Sequence, residues 1–465
     1  MSTRHTPDPP GSAEDLGMIG GAWGALAPFL VFLVGVSWLG LSGAPDETGF
    51  GPVLILALGT GLLLAKDRTR YAEAAVEGMG HRVVMLLILS WILAGVLGTL
   101  LRESGLVDAL VSAASWSGVS GGGFTVAAFI ICAVFSTATG TSLGTLLICT
   151  PLLYPGGVVL ASDPAFLIGA ILAGATFGDN ISPISDTTIA SATTQDADIG
   201  GVVRSRMRYA LPAAAVAILV FAWAGGTGGT VPEADSVAIS WGGLAMLAVP
   251  LGVLAMLLRG THLVVGLFAG IGSAIVLGLV LSRFSLTDLV SIDSDNFIAT
   301  GIVLDGMRRA FGVSIFTLLL MGMVGGLEAS GILRRFLGWL SARASDTRKA
   351  EGWIFGSISA ATILTTHSGV AILAVGSVVK ELGERAGVHR YRRANLLDVT
   401  VCTYPFLLPF FIPTVLAAAL TAGADVPRMS PLDAGLHNVH SWGLLVVIVG
   451  SLFVRRSPAS PTSSA

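Results

Sequence analysis

Ten apolar runs recur along the 465 residues, at 20–42, 51–65, 83–101, 165–188, 209–226, 240–258, 262–282, 312–330, 394–420 and 440–454. A helical crossing of a bilayer takes about 20 mostly apolar residues. In lipid a chain satisfies its backbone only as helices or as a closed barrel. The runs therefore predict an all-α polytopic membrane protein. Composition agrees, with 53% hydrophobic and 12% charged residues, against about 25% charged in soluble domains. The 60 glycines suit closely packed membrane helices. The net charge of −3 averages loops of opposite sign and points to no partner. Cys132, Cys149 and Cys402 lie in apolar surroundings, without metal spacing or a disulfide framework. No Walker A, GxSxG, HExxH or CxxC pattern appears, so neither an enzyme nor a bound cofactor is expected. Residues 1–19 and 455–465 read as disordered polar tails.

Basic residues mark cytoplasmic loops. Lys66, Arg68, Arg70 and Arg82 fix one, Arg204, Arg206 and Arg208 the next, and Arg259 a third. Arg334, Arg335, Arg343, Arg348 and Lys349 fix a fourth. The intervening loops carry Asp46 and Glu47, then Glu233 and Asp235, then Asp288, Asp293 and Asp295. Arg455 and Arg456 put the C-terminus inside, so both termini are cytoplasmic in a bacterial inner membrane. Arg308 and Arg309 fall on the outer side and conflict with the pattern. Two further apolar segments fit as hairpins that dip in and return. Segment 353–379 lies between two basic loops and has its tip at "TTHSG", Thr365 to Gly369. Segment 124–157 lies between loops without Lys or Arg and has its tip at "STATGTS", Ser136 to Ser142. Non-helical backbone at membrane depth survives only beside protein or a wet cavity.

The two halves match weakly but in order. "WGALA" from Trp23 answers "WGGLA" from Trp241, "EGM" from Glu77 answers "DGM" from Asp305, and "ESGLVDAL" from Glu103 answers "ASGILRRF" from Ala329. The hairpin tips follow, and Asp179 then corresponds to Asp398. Each unit, 20–226 and 240–454, holds five spans and a hairpin. Five is odd, so the second unit is inverted. The expected fold is two inverted repeats of five transmembrane helices, each with a re-entrant hairpin and a broken helix (165–188 and 394–420). Inverted repeats with matched polar breaks mark secondary transporters, with the site near the midplane.

The break of the first unit is "GATFGDNISPISDTTIAS", Gly174 to Ser191. Pro183 cannot donate a backbone hydrogen bond, and Ser182–Pro183 suits an N-cap and first turn. One half-helix should therefore end near Gly178 and another begin at Pro183. Free carbonyls at the first end favour a cation. Asp179 adds a full negative charge, and Asn180, Ser182, Ser185 and Thr187 add neutral oxygens. A small hard cation takes such a mixed oxygen cage. A proton competes for the same carboxylate, because poor solvation favours its neutral form. Asp186 is either a second acid of the site or a helix-start acid. From Glu103 to Val203 there is no Lys or Arg. That absence favours a cation over an organic anion as the obligatory ligand.

In the second unit Asp398 sits in an apolar run beside Asn395, Thr400 and Thr403, with Pro405, Pro409 and Pro413 downstream. It reads as a second cation or proton carboxylate, or as a helix-end acid paired with Arg392 or Arg393. His367 at the hairpin tip is a pH-sensing group or a neutral hydrogen-bonding core histidine. The tip "STATGTS" supplies hydroxyls and carbonyls to an ion, or packs helices through small residues.

"FSTATGTSLGT", then "GAILAGATFGDNISPISDTTIAS", then "VVRSRMRYALP", resembles the NhaC-type sodium/proton antiporters of the ion-transporter superfamily. The family pattern runs close to "SxATGTSWGT" and "GAxFGDKxSPLSDTT". The likeness is strong over roughly 77–215 and diffuse over 300–420. It implies exchange of sodium, or another monovalent cation, for protons by alternating access. It also implies that Asp179, Ser182, Ser185, Asp186, Thr187 and Thr188 line the ion path. Thr139, Thr141 and Ser142 join from the facing hairpin, and Asp398 looks like the second-half acid. The chain departs from the pattern at Asn180, where the family has lysine, at Ile189, and at "DVTV" in place of "DSGT". Relatives in this family exchange malate for lactate or carry amino acids. A sodium- or proton-coupled carrier of a small organic acid or amino acid is therefore the alternative.

Overall fold

The computed structural model describes residues 15–42, 47–109, 119–227, 241–294, 297–332, 335, 347–422 and 426–453. The loop residues Asp46, Glu233, Asp235, Asp295, Arg334 and Arg343, and the tails at 1–14 and 454–465, lie outside them. The described chain is almost wholly helical. Its one sheet is a two-stranded hairpin, β1 (Ser291–Asp293) against β2 (Ile298–Thr300), antiparallel with Ile292 opposite Ala299.

The first half comprises α1 (Ala22–Leu41), α2 (Glu47–Leu64), α3 (Arg68–Met79), α4 (Arg82–Glu103), α5 (Gly121–Thr139), α6 (Ser142–Val159), α7 (Pro164–Ile181), α8 (Asp186–Thr194) and α9 (Ile199–Ala224). The second comprises α10 (Trp241–Ala245), α11 (Ala248–Leu258), α12 (Leu263–Val280), α13 (Leu286–Leu289), α14 (Ile302–Arg309) and α15 (Phe311–Ala329). It continues with α16 (Thr347–Thr365), α17 (Ser368–Arg385), α18 (Arg390–Val401), α19 (Ile412–Ala419), α20 (Pro431–Leu436) and α21 (Val439–Phe453). Among the described residues, eight helical stretches are long and apolar enough to cross a membrane, and three shorter apolar helices accompany them. The protein is a multi-pass helical membrane protein. Large apolar side chains such as Trp223, Val280 and Phe453 face outward, as lipid-facing positions should when the solvent is hydrocarbon.

Several boundaries differ from the sequence reading. Residues 15–19 are not part of a loose tail. Leu16 and Met18 are buried, and Leu16 N–H donates to the Ala329 carbonyl at 2.8 Å. Apolar side chains at alternate positions let this end seat against α2 and α15. The run 209–226 is the later part of α9, which starts ten residues earlier at Ile199, so Arg204, Arg206 and Arg208 are helical and not in a loop. The run 240–258 divides into α10 and α11. Segment 124–157 forms the pair α5 and α6, each of which is long enough to cross by itself.

Both helix pairs turn in the same way. Gly140 (φ 68°) precedes Thr141, which caps α6 by accepting from Gly144 N–H at 3.2 Å. Thr366 (φ 52°) precedes His367, whose Nδ1 accepts from Val370 N–H at 3.4 Å to cap α17. A left-handed residue followed by a capping side chain reverses the chain in little space.

Candidate functional site

The first break forms as the sequence suggests but three residues later. Asp163 caps α7 by accepting from Ala165 and Phe166 N–H, with Pro164 in the first turn. The helix runs past Gly178 to Ile181, and Ser182 is its extended C-cap. Ser182 is therefore not the N-cap of the second piece. That role falls to Ser185, and α8 starts at Asp186. Pro183 stops α7 because it has no N–H, yet it lies in the gap and outside the first turn of α8.

Close packing aligns this gap with the tip of the α5–α6 pair. Gly174 and Gly178 form a GxxxG step on α7. A methyl on Gly178 would stand 2.4 Å from the Ala133 carbonyl of α5, and one on Gly174 would stand 2.3 Å from that of Phe129. Only glycine lets the two backbones approach so closely. Ser182 Oγ–H then donates across to the Thr137 carbonyl at 2.8 Å.

Asp179 points into the space this creates and is 9% exposed. Its Oδ1 accepts from Ser185 Oγ–H at 2.6 Å, and its Oδ2 from Ser142 N–H at 3.3 Å. Ser142 is the first residue of α6, so the carboxylate also meets a helix N-terminus, whose free N–H groups favour negative charge. Thr187 Oγ1 lies 3.1 Å from Ser185 Oγ and extends the row of hydroxyls. Asn180 follows, fully buried. Its Oδ1 meets no donor among the described residues. No Lys, Arg or His of the described residues forms an ion pair with Asp179.

Asp398 has a different environment. It lies within α18, fully buried, and pairs with Arg206 Nη2 at 2.5 Å. Neither Arg392 nor Arg393 is its partner. Arg392 pairs with Glu351 at 2.8 Å, and Arg393 with Glu384 at 3.4 Å. Arg206 is equally buried and makes three more bonds. Nε–H donates to Asn395 Oδ1 at 3.1 Å, and Nη1–H to the Asn180 carbonyl at 2.5 Å and to Thr188 Oγ1 at 2.7 Å. Ser191 Oγ–H donates to Asp398 Oδ2 at 3.2 Å, and Asn395 Nδ2–H to Ser205 Oγ at 2.6 Å. One guanidinium thus ties α7, α8, α9 and α18 together. Removing one member of a buried, hydrogen-bonded ion pair costs about 3–5 kcal/mol, because a charge is left without a partner.

The free carbonyl at the end of α7, read as a place for an incoming cation, is taken by the protein's own Arg206. The reading that no basic residue approaches this region fails for the same reason. The signal was present in the sequence. Val202, Arg206, Tyr209, Ala210 and Ala213 are spaced as one helical stripe, and all are buried. Arg204 and Arg208 are exposed on the other face.

The other expected site residues separate. Asp186 is exposed at the first turn of α8 and does not join Asp179. Its place is that of a helix-start acid. The Thr139 hydroxyl bonds the Phe135 carbonyl of its own helix at 2.9 Å, and that of Thr400 the Leu396 carbonyl at 2.6 Å. Both are occupied locally. Thr141 is a cap, and so is half-buried His367, which accepts through Nδ1. The second break, from Cys402 to Phe411, begins after Asp398 and contains a 3-10 turn at Tyr404–Phe406. Cys402 bridges the two breaks, accepting from Asn180 Nδ2–H at 3.3 Å.

A polytopic helical protein whose two interrupted helices meet around buried charges has the build of a secondary transporter. Comparison with known proteins agrees. The model of the Na+/H+ antiporter family matches residues 23–226. The Na(+)/H(+) antiporter NhaC of Alkalihalophilus pseudofirmus is 25% identical over 389 residues, 80% of this chain and 83% of that one. The malate-2H(+)/Na(+)-lactate antiporter of Bacillus subtilis is 30% identical over 174 residues, 36% of this chain and 35% of its own length. The arginine/ornithine antiporter ArcD of Halobacterium salinarum is 24% identical over 407 residues, 82% of this chain and 81% of its own. Residues 23–226, somewhat under half of the chain, thus match the Na+/H+ antiporter family, and the chain is similar to an NhaC antiporter over most of its length.

Proposed function

We propose that the protein exchanges sodium, or another monovalent cation, for protons across the membrane by alternating access, with Asp179 as the carboxylate that both ions share. One observation carries this reading. Asp179 is a buried acid without a cationic partner among the described residues, held at a helix break by one hydroxyl and one backbone N–H. Ionisable groups at membrane depth are costly and usually functional. An ion pair inside the protein would remove the reason for Asp179 to bind anything. Its absence leaves a negative charge that either a proton or a metal ion can neutralise, and the two exclude each other. Ser185, Thr187, Ser182 and the Asn180 Oδ1 are the neutral oxygens for the metal ion, which is cargo and not a resident cofactor. Thr188 and Asn395 act one step away, through Arg206.

The repeats 20–226 and 240–454 supply the moving parts. We read them as inverted, with the hairpins 124–157 and 353–379 presenting their tips to the two breaks. Both termini lie in the cytoplasm of a bacterial inner membrane. The reading as a carrier of an organic acid or amino acid finds support in Arg206, a buried cation beside the break. That guanidinium, however, already serves Asp398, Asn395, Thr188 and the Asn180 carbonyl, so a substrate carboxylate would have to displace the protein's own.

The test is transport in proteoliposomes under an imposed pH gradient, adding sodium, lithium and potassium in turn, then dicarboxylates and amino acids. Cation-driven proton flux with no organic substrate is expected. Asp179→Asn should lower it at least about 100-fold while the protein stays folded, on the scale of losing a charged ligand (about 3 kcal/mol). Full activity in that variant would refute the assignment.

A further inference from the structure

We propose that Arg206 fixes the charge balance of transport. By holding Asp398 as a permanent ion pair, it leaves Asp179 as the one exchangeable carboxylate, so each turnover swaps one monovalent cation for one proton and moves no net charge. This inference rests on the exchange reading and adds its stoichiometry.

Few charges are buried where the interrupted helices meet. Among the described residues, the fully or nearly buried charged side chains are Asp179, Arg206, Arg392, Arg393 and Asp398. Arg392 and Arg393 lie in the first turn of α18 and pair with Glu351 and Glu384. Around the breaks that leaves two acids and one guanidinium. Arg206 and Asp398 cancel at 2.5 Å. The remaining charge is that of Asp179. With a proton aboard the centre is neutral, and with a monovalent metal ion aboard it is neutral again. Both loaded forms therefore reorient across the membrane without carrying charge.

The pair is built to persist. A guanidinium presents its N–H donors in a rigid fork and keeps its proton. Three helices supply acceptors to that fork, namely α18 through Asn395, α8 through Thr188, and α7 through the Asn180 carbonyl, while Asp398 supplies the opposite charge. For Asp398 to accept cargo, Arg206 would have to leave a fully buried acid while its other donors stay tied to Asn395, Thr188 and the Asn180 carbonyl. Were Asp398 exchangeable as well, two protons would leave for each cation, and every turnover would move one net charge. Arg206 is thus a positioning residue, and its effect shows in the charge moved and not simply in the rate.

The experiment uses the full-length protein in proteoliposomes, with internal pH read by a trapped dye and potential set by potassium and valinomycin. The cation gradient at which proton flux reverses is measured at zero and at 100 mV. The expected result is one reversal point, with the cation gradient equal to the proton gradient and unmoved by potential. One net charge per turnover would displace it about 50-fold per 100 mV, and that displacement would overturn the proposal. Absence of any cation-dependent proton flux would remove the exchange reading itself, and the stoichiometry with it. Arg206→Gln, where it transports, should acquire the displacement; an unmoved reversal point there would show that Arg206 does not set the balance. Should Arg206→Gln not fold, Arg206→Gln/Asp398→Asn, which removes both charges, should transport with no displacement. A potential-dependent reversal in that double variant would also overturn the proposal.

Discussion

Asp179 and Asp398 each lie on the first piece of an interrupted helix, yet their surroundings are opposite. Asp179 has neutral donors only, a serine hydroxyl and the first N–H of a helix. Asp398 has a full positive charge at 2.5 Å. The gaps differ too. Asp179 stands two residues before α7 stops and Asp398 three before α18 stops, but the first gap runs over 182–185 and the second over 402–411. Burial alone therefore does not make an acid an ion carrier. What matters is whether the fold has already supplied its counter-charge. On the proposed reading the unpaired acid is the one available to cargo, while the paired acid is held by the guanidinium that ties four helices together.

This contrast can be broken in graded steps. The largest effect on stability should come from the paired side. Arg206→Ala or Asp398→Ala should destabilise the protein by about 3–5 kcal/mol, read as a lower thermal midpoint in detergent, whereas Asp179→Ala should cost far less or stabilise it. A joint replacement of Arg206 and Asp398 by apolar residues of similar size should recover most of the loss, because no charge is then left alone. Next in size is Ser185→Ala. It deletes a hydrogen bond to a charged group, worth about 1.5–3 kcal/mol, and should raise the cation concentration for half-maximal flux about tenfold or more, with little change in thermal midpoint. Asp186→Asn should change transport less than about twofold, since this side chain is exposed at a helix start. A loss comparable to that of Asp179→Asn would return Asp186 to the site.

The smallest effect concerns the membrane surface beyond α8. Asp196 is bound to Lys380, whose hydrogen bond and charge hold its carboxyl below the usual range. A depressed carboxyl stabilises the fold above its unfolded pKa of about 4 and loses that contribution as pH falls through its folded value. Asp196→Asn should thus differ from the parent only above that window. The pair is exposed, so the difference should be slight and should fade in high salt, as thermal midpoints across a pH series would show.

How much of this the sequence disclosed depended on whether the signal was local. The break near Pro183 was legible because a proline and a row of hydroxyls cannot continue an apolar helix unaided. Asp179 was legible because an acid at membrane depth stands out. The exact end of α7 was not, since the carbonyls beyond Gly178 find partners only in the folded state, among them Arg206 from α9. Arg206 itself was hidden by its neighbours. Arg204 and Arg208 made it look like part of a basic loop, and only the stripe from Val202 to Ala213 places it on the buried face. The partner of Asp398 was missed for a related reason. Arg392 and Arg393 are near in sequence, but α18 turns them toward Glu351 and Glu384.

The most direct measurement is the count of protons released when sodium saturates the detergent-solubilised protein in weak buffer, across the pH range of activity. An unpaired Asp179 and a permanently paired Asp398 predict at most one proton per chain. That release should vanish in Asp179→Asn and survive in Arg206→Gln/Asp398→Asn. Proton release that persists in Asp179→Asn, or that approaches two per chain in the parent, would contradict the division of labour between the two acids.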